Sequence, residues 1–304
     1  MPNATPGSLV AFADAAPAPL APWAPGRLVA LFRGDLTAAL AAVTLVVIAL
    51  AALLAPWIAP FDPAQTFDIA ARTQPPSATH WLGTDQLSRD LLSRLLYGAR
   101  LSLGISVLAV TVAMVIGTAW GAVAGYAGGW VDRVLMQVVD AGLAIPRILL
   151  LLGVVALWGT LSMPALVLVL GLTGWFTASR LVRAEVRATR ERDFAVAARA
   201  TGATPLRVLV RQVLPHALTP ILVAATLGVG QVVIVEAGLS FLGYGVAPPA
   251  ASWGSLIREG RALLGTAWWM SVFPGVGLAA TVLAINVLGD RLRRVLGGQQ
   301  LHAP

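Results

Sequence analysis

Neither cysteine nor lysine occurs in this chain. Without cysteine there is no disulfide, no thiol nucleophile and no thiolate metal ligand. Without lysine there is no phosphate-gripping loop of the G-x-x-x-x-G-K-[ST] type, so any ATP that drives this protein is hydrolysed by another chain. Histidine is scarce, and His80, His216 and His302 have no metal-ligand spacing. Charged residues make up only 12% of the chain, and the net charge of +7 owes all its positive side to arginine. A basic chain can bind nucleic acid, but these arginines flank apolar runs and no polar domain carries a groove, which argues against a nucleic-acid partner.

What is present is apolar. Hydrophobic residues make up 58% of the 304, the composition of a polytopic membrane protein in a lipid bilayer. Residues 1–35 are an Ala- and Pro-rich tail with no amphipathic period. Arg27 and Arg33 then precede a charge-free run, Leu36–Ile58, whose length of about 35 Å as a helix is enough to cross. A cleaved signal peptide has a shorter apolar core, so a retained first span with its N-terminus inside is expected. Further runs predict six transmembrane helices in one all-α domain over residues 36–290: 36–58, 101–126, 134–158, 163–179, 218–238 and 268–288. Arg291, Arg293 and Arg294 place the tail 291–304 inside as well.

The spans hold a few residues that could line a pathway. Asp140, Pro146 and Arg147 fall in the third, Gln231 and Glu236 toward the outer end of the fifth. An intramembrane ionisable group is a functional candidate by default. Against that, Asp140 and Arg147 read as within about two turns of the cytoplasmic end, where an interface solvates them. Pro146 is expected to kink its helix. The pathway candidates are therefore Asp140, Pro146, Gln231 and Glu236. Gly117, Gly121 and Gly125 recur every fourth residue along the second span, a spacing that can mark close helix packing.

Two polar segments interrupt the apolar runs. Residues 59–100 carry four Arg and four Asp, so the positive-inside rule is silent there. Leu87, Leu91, Leu92, Leu95 and Leu96 make an apolar face opposite Arg89, Asp90 and Arg94, the pattern of an interfacial helix leading into a span. Residues 180–215 carry eight Arg against three acids. Within them Asp193 suits an N-cap for an Ala-rich helix, Gly202 a stop, and Thr204-Pro205 a second start. Leu206, Leu209, Val210 and Val213 recur at helical spacing, with Arg207 and Arg211 alongside. Two short helices joined at a glycine, the first with small side chains, read as a docking surface. The plainer alternative is a positive loop that only fixes topology.

This segment resembles the coupling loop of ATP-binding-cassette (ABC) importer permeases: Glu-Ala-Ala, three residues, Gly, nine residues, a hydrophobe, any residue, Leu-Pro. Val196-Ala197-Ala198, Gly202-Ala203 and Leu214-Pro215 fall in that register. Val196 stands in place of the acid and Gln212 in place of the hydrophobe. The stretch from His80 to Leu103 resembles the "HPLGTDxxGRDxxSRxxxGxRxSL" signature of the dipeptide, oligopeptide and nickel branch, with Trp81 and Ser88 in place of its Pro and Gly. Residues 236–257, which include Ser240-Phe241-Leu242-Gly243 and Ser252-Trp253-Gly254, are similar to a third motif of that branch.

The resemblance implies a type I ABC importer permease of the bacterial plasma membrane with no catalysis of its own. It implies a heterodimer with a homologous permease, two ABC ATPase subunits that bind ATP and Mg, and an extracytoplasmic substrate-binding protein. It assigns ATPase coupling to Asp193, Val196, Ala197, Ala198, Gly202, Ala203, Leu214 and Pro215. Di- or oligopeptides are the implied substrates; nickel or another small solute is the alternative, disfavoured by the lack of clustered histidines. A secondary transporter more often pairs charges near mid-membrane. A membrane anchor needs neither the glycine-joined helices nor the outer loop.

Overall fold

The computed structural model describes residues 35–66, 69–159 and 161–297. Most of the tails expected at 1–35 and 291–304 lies outside them. Among the described residues there is no strand; two isolated bridges, Thr84 with Asp90 and Leu161 with Val246, are the β pairings. The helices are α1 (Leu36–Ile58), α2 (Leu91–Ala127), α3 (Gly129–Ala144), α4 (Arg147–Trp158), α5 (Met163–Arg190), α6 (Asp193–Ala200), α7 (Pro205–Val208), α8 (Leu214–Leu242), α9 (Trp253–Gly260) and α10 (Trp269–Gly297). Five runs are long and apolar enough to cross a membrane, and six if the bent pair α3–α4 counts as one span.

α1 begins and ends where the charge-free run does. Asp35 caps it, its carboxylate accepting from the Thr37 hydroxyl at 2.6 Å and the Ala38 N–H at 3.2 Å. These bonds hold the Asp35 carboxyl below the usual carboxylate range. Asp35 also pairs with Arg291 of α10 at 3.7 Å, so the start of α1 and the end of α10 share one face.

The centre of the fold is the α2–α5 pair, the most extensive helix contact. Glycine makes it possible. A Cβ at Gly117 would lie 2.5 Å from the Cβ of Ala178, one at Gly121 would strike the Ser179 carbonyl oxygen, and one at Gly125 would lie 2.6 Å from the Arg183 oxygen. Only a hydrogen at these positions lets the two backbones meet. Around the pair, Ile105, Leu151, Leu166, Leu170 and Leu239 form a core shared by α2, α4, α5 and α8. α10 closes the other side against α8, α9 and α1.

The boundaries differ most from the sequence reading in four places. α2 starts at Leu91, so residues 91–96 are the first turns of the span and no separate interfacial helix forms. Asp90 explains the start, its carboxylate accepting from Ser93 N–H at 2.8 Å. α5 runs on to Arg190 and α10 to Gly297, because Arg and Ala are good helix formers and their charges project past the apolar layer. The third span is two helices, α3 and α4, bent by 77° across Ile145-Pro146. Pro146 was expected to kink one helix. It instead separates two, since proline has no N–H to donate and pushes Ile145 into an extended conformation (ψ 124°).

Candidate functional site

The segment 180–215 is ordered around a small apolar core of its own. Ala195 of α6 is buried with Val182 and Val186 of α5, Ala122 of α2, and Val208, Leu209, Val213, Ala217 and Ile221. Phe194 stacks on His216 with ring centroids 4.3 Å apart. Arg190 donates to the Gly125 and Tyr126 carbonyls at 3.0 and 2.8 Å, clipping the end of α5 onto the unpaired carbonyls that end α2.

Asp193 is the first residue of α6; its N-cap is Arg192, and no side chain caps it. α6 ends in a Schellman motif: Gly202 has φ +86°, its N–H reaches Arg199, and the Ala203 N–H reaches Ala198. Nothing lies within 4 Å of where a Gly202 Cβ would be, so the requirement for glycine is purely conformational. Pro205 takes the first position of α7, as its fixed φ favours.

The second short helix does not end before the span. α7 passes through a wide π turn, Leu209–Val213, straight into α8. Pro215 lacks the N–H that Arg211's carbonyl would accept, and the wide turn falls beside that lost bond. Nδ1–H of His216 donates to the neighbouring Gln212 carbonyl at 2.6 Å. Because α8 fixes the roll of α7, the inward face is Val208, Leu209 and Val213. Leu206 and Val210, which share a helical spacing with Leu209 and Val213, are 70% and 52% exposed. With exposed Val196 and Ala197 they form an apolar ridge on each side of Gly202, flanked by Arg199, Arg207 and Arg211.

The pathway candidates do not converge. Asp140 accepts from Arg180 at 2.6 Å, both half exposed. It lines an open cleft of about 770 Å³ with Asp132, Arg133, Gln137 and Arg183, where Arg183 grips Asp132 through two bonds. Pro146 is exposed at the α3–α4 elbow and Gln231 on an outer face of α8. Glu236 is fully buried, accepting from Ser102 Oγ at 3.1 Å and Ser240 Oγ at 2.7 Å. Ser102 Oγ in turn accepts the Trp253 N–H at 3.3 Å, so this carboxyl ties α2, α8 and α9 together. Arg147 opens α4, but its guanidinium does not lie near an end of the neighbouring α5. Its Nε and Nη2 donate to Thr173 Oγ1 at 3.3 Å and the Leu170 carbonyl at 3.0 Å, well inside α5.

Sequence reasoning missed an ionic knot on the face away from the loop. By periodicity Arg89, Asp90 and Arg94 fall on the wet side of an amphipathic helix, yet all three are buried. Asp85 accepts from Arg89 Nε at 2.7 Å and Arg94 Nη1 at 2.5 Å. Arg94 also reaches Glu259 of α9 at 2.6 Å, and His80 lies 2.9 Å from Asp90. The signature motif was the available signal, because His80, Asp85, Arg89, Asp90 and Arg94 are positions of it. Ser88, at its glycine position, has φ +59°, the conformation in which glycine is unstrained.

Residues 117–299 match the family described as binding-protein-dependent transport system inner membrane component, and residues 29–76 match the N-terminal TM domain of oligopeptide transport permease C. The dipeptide transport system permease protein DppC of Alkalihalophilus pseudofirmus is 40% identical over 247 residues, 81% of each chain. The glutathione transport system permease protein GsiD of Pectobacterium atrosepticum is 38% identical over 245 residues, again 81% of each. Among solved structures, the inward-facing MetNI methionine ABC transporter has a chain of like fold, with a TM-score of 0.56 at 23% identity, covering 66% of this chain and 95% of that one. With the family matched over most of its length, and the fold of a type I importer, this chain belongs to the inner membrane permeases of binding-protein-dependent ABC importers.

Proposed function

We propose that this permease forms one wall of a path for small peptides, opened and closed by ATP that separate subunits bind and hydrolyse. The ridge of Val196, Leu206 and Val210 around Gly202 is the observation that carries the reading. It is apolar, exposed and rigidly backed, and the continuous α7–α8 helix links it to the membrane layer. One ATPase subunit of a pair docks there. A second, homologous permease completes the path, and a substrate-binding protein delivers peptide to the opposite face. The loop and both chain ends then lie in the cytoplasm, with residues 59–97 and 241–265 outside.

Coupling in this reading is mechanical. Closure of the ATPases pushes α6, and Arg190 passes that push to the end of α2 while α7 passes it to α8. Such a device needs two packings of similar energy that its partners bias. ATP and magnesium belong to the ATPase subunits, since this chain lacks the lysine and glycine loop that hold phosphates. The names of the dipeptide and glutathione relatives support small peptides as the cargo.

Cells lacking this chain, and every other peptide importer, are expected to take up radiolabelled alanyl-alanine only when the chain is restored with its partners. Restored uptake of nickel ion without uptake of peptide would replace the cargo. ATP hydrolysis by the purified chain alone would remove the permease reading itself.

A further inference from the structure

We propose that Arg147 is a substrate-binding residue of the pathway, holding a carboxylate of the passing peptide at mid-membrane; this rests on the peptide reading above. The position comes from packing. A Cβ at Gly174 would lie 3.4 Å from Arg147 Nη2 and 3.2 Å from the Cβ of Ala113. Ala113 stands midway along the charge-free part of α2, residues 101–127, so the guanidinium is as far from either aqueous face as that helix allows.

Among the described residues the charge there has no counter-ion. Asp132, Asp140 and Arg147 follow each other at about two helical turns along α3 and into α4. The lower two are neutralised from α5, Asp132 by Arg183 and Asp140 by Arg180. At the third rung α5 offers only the Thr173 hydroxyl and the Leu170 carbonyl. No acid among the described residues pairs with Arg147. A cation kept at this depth without an anion is costly and marks a ligand path rather than a packing device.

The backbone adds to the same sign. Arg147 is the first residue of α4, at the 77° break between two half-helices. In broken membrane helices the N-terminal end of the second half carries a partial positive charge and commonly faces an anionic group of the cargo. The elbow is open on this chain, with Ile145 50% and Leu149 59% exposed, and the cleft of Asp132, Asp140 and Arg180 lies on the loop side of it. A peptide carries one terminal carboxylate, and a guanidinium grips it through two parallel bonds. Lipid headgroups, the other carriers of an anion, sit at the surfaces rather than at this depth.

The test uses the whole transporter in liposomes, with its ATPases, second permease and binding protein. Arg147→Gln is expected to assemble and to keep ATP hydrolysis stimulated by the loaded binding protein, while alanyl-alanine uptake falls about tenfold or more. Arg147→Lys restores a large part of it. In Arg147→Cys the introduced thiol, alone in this cysteine-free chain, reacts with an anionic thiosulfonate, and alanyl-alanine slows the reaction. Uptake by Arg147→Gln within about twofold of wild type overturns the assignment, a charged bond of this kind being worth more. So does loss of the second permease from the complex, which would mark an ion pair between subunits, and so does an unreactive thiol. A wild-type transporter idle on dipeptides overturns the peptide reading with it.

Discussion

Gly202 carries a backbone requirement with no packing requirement behind it. Its φ of +86° sits in open space, so a side chain there meets nothing except its own backbone. A left-handed conformation costs an ordinary residue about 1–2 kcal/mol, a β-branched one more, and asparagine least. Gly202→Val is therefore expected to turn α6 against α7, with normal abundance in the membrane, lost ATPase co-purification and lost uptake. Gly202→Asn should keep most of both. Equal activity of the two variants would mean that this joint does not position the ridge. The glycine was legible in the sequence because the stop it makes is local chemistry. The charges of residues 85–94 were misread because periodicity says which residues share a face and not what that face meets. Asp85 and Arg94 look like solvent residues until Glu259, far along the chain, completes their pairing. Removing one partner of such a buried pair costs about 3–5 kcal/mol, which gives the motif its physical reason.

Element ends were readable where an apolar run met a cap, and unreadable where helix continued into charge. α1 shows the first case, with Asp35 beside a charge-free run. α5 shows the second: Arg180 and Arg183 read as loop, yet they are helical and pair with Asp140 and Asp132 of α3. The bend at Pro146 had a signal, but a missing N–H fixes where a ladder breaks and leaves the angle to packing. The glycine spacing of α2 proved to be a contact with α5. Gly121→Leu is expected to cost at least about 1–3 kcal/mol by overpacking and to lower the thermal transition of the purified complex. Gly153→Ala, on α4 with nothing within 4 Å, should leave it unchanged. A Gly121→Leu complex as heat-stable as wild type would contradict the close α2–α5 packing.

At the scale of the molecule, the chain is built with two differently made faces. One holds the ionic knot and the buried Trp253, Ser252 and Glu236 that fix α9 to the bundle. The other holds both described ends, joined through Asp35 and Arg291, and the ridge on α6 and α7. Fold class was legible because charge-free runs and their order decide it. The division of labour between the faces was legible only in part, because it depends on contacts between distant segments. In the proposed function the ridge is where an ATPase subunit docks. A benzophenone attached through Leu206→Cys, in membranes holding the whole transporter, tests it most directly. Illumination is expected to join this chain to an ATPase subunit, while the same probe at Trp81→Cys, also exposed but on the opposite face, gives no such product. An ATPase adduct from Trp81→Cys and none from Leu206→Cys would contradict it.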